Sequence, residues 1–213
     1  MDFGISMKKI PIHLLNSQTY CEYQIYLEYV KGIKVKPTLE MNKGREIHKA
    51  LEKEHKKKAK FKLSVMDAIK KSQKEKITLV GREIPVTGNY LCGFIDEILL
   101  MPDQIVIIDD KPNSYSFFAN KKQVFGYCLA FEEQFKTNFK LIACIRHRDS
   151  KKIVWKETFS ANHKDVVFES VKRIFGIINR NKKAEPTNKI NRCKSCRFRN
   201  VCDIYKIRFS KRD

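Results

Sequence analysis

Residues 105–112 read IVIIDDKP: four branched apolar residues, then Asp109, Asp110, Lys111 and Pro112. The apolar run predicts a buried strand, yet it ends in carboxylates and an ammonium, groups that bind metal ions and phosphate rather than fill a core. A second apolar run, LCGFIDEILL (91–100), precedes it and carries Asp96. If the loop MPDQ joins the two as a hairpin, Asp96 stands opposite Asp109. Two carboxylates about 4 Å apart repel by roughly 4 kcal/mol at an effective dielectric of about 20, so the pair requires a proton or a cation between them. Lys111 lies two residues beyond Asp109 on the same strand face and supplies one positive charge; Mg²⁺ or Mn²⁺ supplies two. His48, on an amphipathic helix, reads from residue type alone as packed; as a ligand its nitrogen would suit Mn²⁺. Asp110 points to the other face and makes a poor ligand. Gln123 and Tyr127, one helical turn apart, face such a site together and orient a nucleic acid or Lys111. In the competing reading, Asp96 and Asp109 are solvent-facing strand ends with Lys111 as a salt-bridge partner, His48 is a packed helix residue, and Tyr127 belongs to the core.

The seven cysteines divide by context. Cys92, Cys128 and Cys144 lie in apolar segments and read as small buried residues. Cys193, Cys196 and Cys202 lie among charges in RCKSCRFRNVC, where packing does not explain them. Their C-x-x-C-x5-C spacing fits a metal site that needs a fourth thiolate.

In order along the chain, GREIHKALE around His48, GFIDE around Asp96, IIDDK with Asp109 and Lys111, and QVFGY with Gln123 and Tyr127 resemble the sequential motifs of RecB-like PD-(D/E)XK nucleases. The resemblance extends to the branch that contains exonuclease V and the CRISPR-associated adaptation nuclease (the fourth Cas protein), which carries one cysteine before the His motif and three at the carboxyl end. It implies that Cys21 joins Cys193, Cys196 and Cys202 around a [4Fe-4S] cluster; the residues alone allow zinc equally well. It also implies a restriction-endonuclease-like core and a metal-dependent exonuclease acting on single-stranded DNA or frayed ends, including 5′ to 3′ digestion, in DNA repair, recombination or CRISPR spacer acquisition. The partners it implies are DNA-repair or CRISPR adaptation proteins. The alternative is a non-catalytic, cluster-bearing nucleic-acid-binding subunit of a larger complex.

The elements that must position these groups follow from periodicity. SQTYCEYQIYLEYVKG and TLEMNKGREIHKALEKEHKKKAK read as helices. Residues 77–86, 90–100 and 104–110 read as strands. A helix over 120–136, strands over 139–147 and 152–159, and a long helix capped by Ser160 complete the core. The unalternating run at 105–108 predicts coverage on both sheet faces, hence an α/β fold with a central mixed sheet between helices and a carboxyl-terminal cysteine-rich region packed on the amino-terminal helix. The division is residues 1–38 as a helical segment contributing one cysteine, 39–181 as the nuclease core and 182–213 as the cluster region with a basic tail.

Forty-four Lys and Arg against 24 Asp and Glu give a formal charge of +20, which points to a polyanionic partner, nucleic acid first. Arg192, Arg197, Arg199 and Lys206, interleaved with Phe198, Tyr205 and Phe209, suit single-stranded nucleic acid; alternatively the rings pack the cysteine site and only the cations meet phosphate. The amino terminus lacks a long apolar core with a small-residue cleavage site, and no run of about 18 apolar residues exists, so the expectation is an intracellular protein with no membrane span.

Overall fold

In the computed structural model, residues 9–58 and 63–209 are described. In chain order they form β1 (Ile10–Pro11), α1 (His13–Tyr20), α2 (Glu22–Ile25) continued by a π-helical turn (Tyr26–Val30), α3 (Leu39–Lys58) and α4 (Val65–Glu75). There follow β2 (Leu79–Thr87), β3 (Leu91–Leu100), β4 (Gln104–Lys111), α5 (Phe118–Phe135), β5 (Lys140–His147), β6 (Ile153–Thr158), α6 (Ala161–Ile178), α7 (Ile190–Lys194) and α8 (Asp203–Phe209). No helix among the described residues is long and apolar enough to cross a membrane.

The strands form one mixed sheet in the order β1-β3-β4-β5-β6, with β2 also paired to β3. β1 with β3 and β4 with β5 are parallel; the other pairs are antiparallel. The MPDQ loop closes with Met101 N–H donating to Gln104 C=O, and Leu100 pairs with Ile105. β2 lines β3 from Leu100 down to Cys92, whereas on the opposite edge β1 reaches only Leu91 and Cys92, and β4 only Glu97 to Leu100. Among the described residues, that edge of β3 therefore has no strand beside it between Cys92 and Glu97. The gap is where Asp96 lies.

α5 crosses β2, β3, β4 and β5 and is packed in turn by α1 and α6. Its Val124, Cys128, Ala130 and Phe131 are fully buried, as are Ile105 and Ile107 on β4. Gly126 lets α1 approach, since a Cβ there would stand 2.3 Å from Leu15. Residues 9–38 are woven into this core: Ile10, Ile12, Leu14, Leu15 and Ile25 all belong to it.

Two readings of the sequence need correction. The first helix starts at His13, four residues before the expected serine, and is interrupted at Cys21, whose backbone is extended (φ −170°, ψ 111°). The interruption turns the Cys21 thiol toward Thr187, whose N–H donates to its sulfur at 3.4 Å. The second concerns α4, absent from the reading although Ser64 caps it by accepting from Asp67 N–H.

A buried polar seam joins α1, α5 and α6. Asn16 donates to Asn120 (2.8 Å), Lys122 to Gln18, Gln18 to Glu22 (2.9 Å), and Arg173 to both Glu22 oxygens (2.9 and 2.6 Å). Burial pushes the Lys122 ammonium down to about 8, with Glu22 only partly offsetting it. An unfolded lysine holds its proton to about pH 10.4, so the unfolded chain binds more protons between these values and stability rises with pH across that window. Lys122→Met is therefore expected to stabilise the protein by about 1–3 kcal/mol at pH 7, after the loss of the Gln18 contact is allowed for, with the advantage shrinking toward pH 10. Urea denaturation of both proteins at pH 7 and at pH 10 checks the sign.

Candidate active site

The β3–β4 ladder runs from Leu100 opposite Ile105 to Glu97 opposite Ile108 and stops there. One step further the strands part, and the Asp96 carboxylate fills the fork: its Oδ2 accepts the Asp110 backbone N–H at 2.8 Å. Asp109 is 2% exposed. Lys111 Nζ is ion-paired with Asp109 Oδ2 at 2.8 Å, and this buried oxygen has no other polar partner among the described residues. The ammonium also donates to Gln123 Oε1 (3.2 Å), and Gln123 Nε2 donates to Tyr127 Oη (3.2 Å). The structure thus brings Asp96, Asp109, Lys111, Gln123 and Tyr127 together. His48 lies on α3, and its side chain is outside the described residues.

Electrostatics fix the protonation states. Desolvation works to lower the Lys111 pKa, but the charges of Asp109 and Asp96 outweigh it and hold the ammonium above the ordinary lysine value. Burial, then the same two carboxylates, push the Tyr127 hydroxyl well above the usual tyrosine value. With both carboxylates charged, Lys111 is held as the ammonium and Tyr127 as the neutral phenol.

Behind the fork, Asp110 faces away from Asp109. Arg146 donates to both Asp110 oxygens (2.8 and 2.9 Å) and also to Glu97, which is in turn held by Arg82. Desolvation of Asp110 is overcome by Arg146, which keeps the carboxyl below the ordinary aspartate range. Because the Asp110 N–H holds Asp96, this charged anchor fixes the orientation of the acid in front of the sheet.

An open cleft of about 970 Å³ leads to the fork, bordered by Asp96, Lys111, Gln123 and Tyr127 on the acid side and by Arg45 and Lys49 of α3 opposite. Most of its other residues escaped the sequence reading of the site, Cys92 and His13 among them. Cys92, expected to be buried, is half-exposed and borders the cleft. His13 lies at its mouth, still reached by solvent; desolvation, then Arg197 and Lys111, lower its imidazole below the usual histidine value. HLLNSQ contains no spacing that would have revealed this placement.

Cys21, Cys193, Cys196 and Cys202 border one small cavity of about 20 Å³. Gln24 Nε2 and Phe198 N–H donate to Cys196 Sγ at 3.5 and 3.4 Å. Burial and then the neighbouring Cys21 and Cys202 raise the Cys193 thiol. Among the described residues, however, no three His, Cys, Asp or Glu side chains stand in a metal-holding group. Phe198 is fully buried against this cavity and Tyr205 borders it, so these rings pack rather than offer free faces. Arg192 and Arg197, expected as nucleic-acid contacts, are engaged internally. Arg192 donates to Thr19 and Tyr20 carbonyls at 3.0 Å, and Arg197 pairs with Glu28. Arg199 and Lys206 are exposed; Phe209's side chain is outside the described residues.

A forked strand pair presenting two acids and a lysine, backed by a helix presenting Gln and Tyr, defines a nuclease-type site. Residues 54–203 match the family model of the PD-(D/E)XK nuclease superfamily, and the chain belongs to that superfamily. Among solved structures it is similar to a candidate exonuclease of Eubacterium rectale, at 11% identity and a TM-score of 0.52, over 94% of this chain and 88% of that one. It is also similar to SSO0001, at 13% identity and a TM-score of 0.45, over 93% and 87% of the two chains. No curated protein matches the sequence.

Proposed function

We propose that this nuclease is a Mg²⁺- or Mn²⁺-dependent exonuclease of the RecB-like type, hydrolysing phosphodiesters of single-stranded DNA or frayed ends, including digestion from 5′ ends. The observation that carries the reading is the pair of acids at the fork: Asp109, buried and ion-paired with Lys111, and Asp96, which borders the open cleft. Two neighbouring carboxylates face the single Lys111 ammonium here, and a hard cation offsets the charge that remains. Asp96 and Asp109 hold the ion, with His48 as the third donor. A bound ion supplies a water of lowered pKa and a positive charge at the scissile phosphate. Lys111 adds a positive charge beside the reacting phosphate, Gln123 fixes its direction, and the Tyr127 hydroxyl holds Gln123 in turn.

The four cysteines are the proposed ligands of a [4Fe-4S] cluster or zinc: they border one cavity, and the sulfurs of Cys21 and Cys196 accept N–H bonds. Functionally the chain divides into a core of residues 39–181 and terminal segments, 1–38 and 182–213, joined by that centre. Its setting is DNA repair, recombination or CRISPR spacer acquisition, with proteins of those processes as partners.

Labelled single-stranded DNA incubated with Mn²⁺ is expected to be degraded by the wild type, spared in EDTA, and spared by Asp96→Asn. Equal degradation by both proteins defeats the site assignment. Binding without cleavage by the wild type favours the non-catalytic subunit instead.

A further inference from the structure

Phe94 lies on β3 two residues before Asp96, and it is 59% exposed. Among the described residues, the cleft is bordered by the aromatic rings of His13, Tyr127 and Phe94, of which Tyr127 is buried and Phe94 is the open benzene ring. Single exposed hydrophobics need no explanation on a convex surface, but this one borders a concave cleft, two residues from Asp96. Its cross-strand partner on β2 is Pro85, also exposed and bordering the same cleft, so β2 leaves the ring uncovered.

The opposite wall has a different chemistry. Met41, Arg45 and Lys49 recur at one-turn intervals on α3 and all border the cleft. Residues four apart on a helix stand about 6 Å from each other, close to the spacing of successive phosphates along an extended strand. One wall therefore offers two cations, Arg45 and Lys49, with Glu52 beyond them on the same helix, and the other an aromatic face. A duplex hides its base faces in the stack; a single strand can present phosphates to one wall and a base to the other.

We propose that Phe94 is a nucleobase-stacking platform that places an unpaired base of single-stranded nucleic acid one step from the scissile phosphate. This rests on the nuclease reading above and adds its substrate-selecting contact. Stacking is sequence-tolerant because every base has a π face, so the platform selects for strandedness and not for base identity.

The test uses the full chain in EDTA, where binding is separated from cleavage. Oligonucleotides carry a single 2-aminopurine or a single abasic site, moved one position at a time. One position is expected to change its 2-aminopurine fluorescence on binding to wild type and to Phe94→Trp, and not on binding to Phe94→Ala. An abasic site there is expected to weaken wild-type binding by about 10-fold and to leave Phe94→Ala, already weaker by about 10-fold, unchanged. Circular dichroism confirms that the variants are folded, as an exposed ring allows. If Phe94→Ala binds like wild type, or the abasic penalty persists in it, the platform is refuted. If the wild type binds no oligonucleotide, the nucleic-acid reading itself falls. Stacking without metal-dependent cleavage would uphold the platform and remove only the enzymatic part of that reading.

Discussion

Asp109→Asn is expected to cleave single-stranded DNA about 10³-fold more slowly than the wild type at saturating Mn²⁺, while remaining folded. A bound metal contributes several kcal/mol of transition-state stabilisation, and about 1.4 kcal/mol corresponds to a factor of ten. The substitution replaces a buried carboxylate that is ion-paired with Lys111. Asparagine keeps the shape and removes the charge that a cation requires. The neighbouring Asp110→Asn supplies the contrast. It breaks a buried pair with Arg146, which leaves an arginine without its bidentate partner and costs stability, by about 3–5 kcal/mol, more than it costs chemistry. Initial rates across a Mn²⁺ titration, together with urea denaturation of both variants, separate the two effects. An Asp109→Asn enzyme retaining a tenth of wild-type activity would dissociate this carboxylate from the metal.

The division of labour between these adjacent aspartates was legible because strand alternation is strictly local: if Asp109 faces the helix, Asp110 does not. The hairpin register was legible for the same reason, since MPDQ sets the loop length and the loop sets the pairing that the ladder follows from Leu100 to Glu97. Gln123 and Tyr127 are likewise linked by helical spacing alone. Other features depend on partners far away in sequence. Arg192 and Arg197 look like a phosphate-binding pair in a basic tail, but the Thr19 and Tyr20 carbonyls and Glu28 that they engage are more than 160 residues away in the chain. His13 and Cys92 reach the cleft only because β1 pairs in parallel with the start of β3, a two-residue contact that leaves almost no trace in the sequence. The break at Cys21 is invisible to periodicity because the apolar rhythm continues through it and only the backbone turns.

That break leads to the second large effect. Cys21→Ala is expected to lower the melting temperature by about 10 °C or more. The proposed centre, joining residue 21 to residues 193–202, would close a loop of nearly the whole chain, and cross-links over loops of ~100 residues contribute roughly 4–5 kcal/mol in the chain-entropy treatment. For a chain of this length each kcal/mol moves the midpoint by about 2–4 °C. Protein-only ties set an upper limit to the damage. Tyr23 donates to Asp203 (2.8 Å), Arg173 holds Glu22, Arg192 holds the end of α1, and Arg197 holds Glu28. The tail should therefore remain docked in the variant, with cooperative unfolding at a lower temperature rather than collapse to a disordered chain. Metal analysis and colour identify the lost species, because an iron-sulfur centre is brown and zinc is colourless. If Cys21→Ala matches the wild type in both metal content and melting temperature, Cys21 is no ligand, and the extended break at its position serves only to redirect the helix.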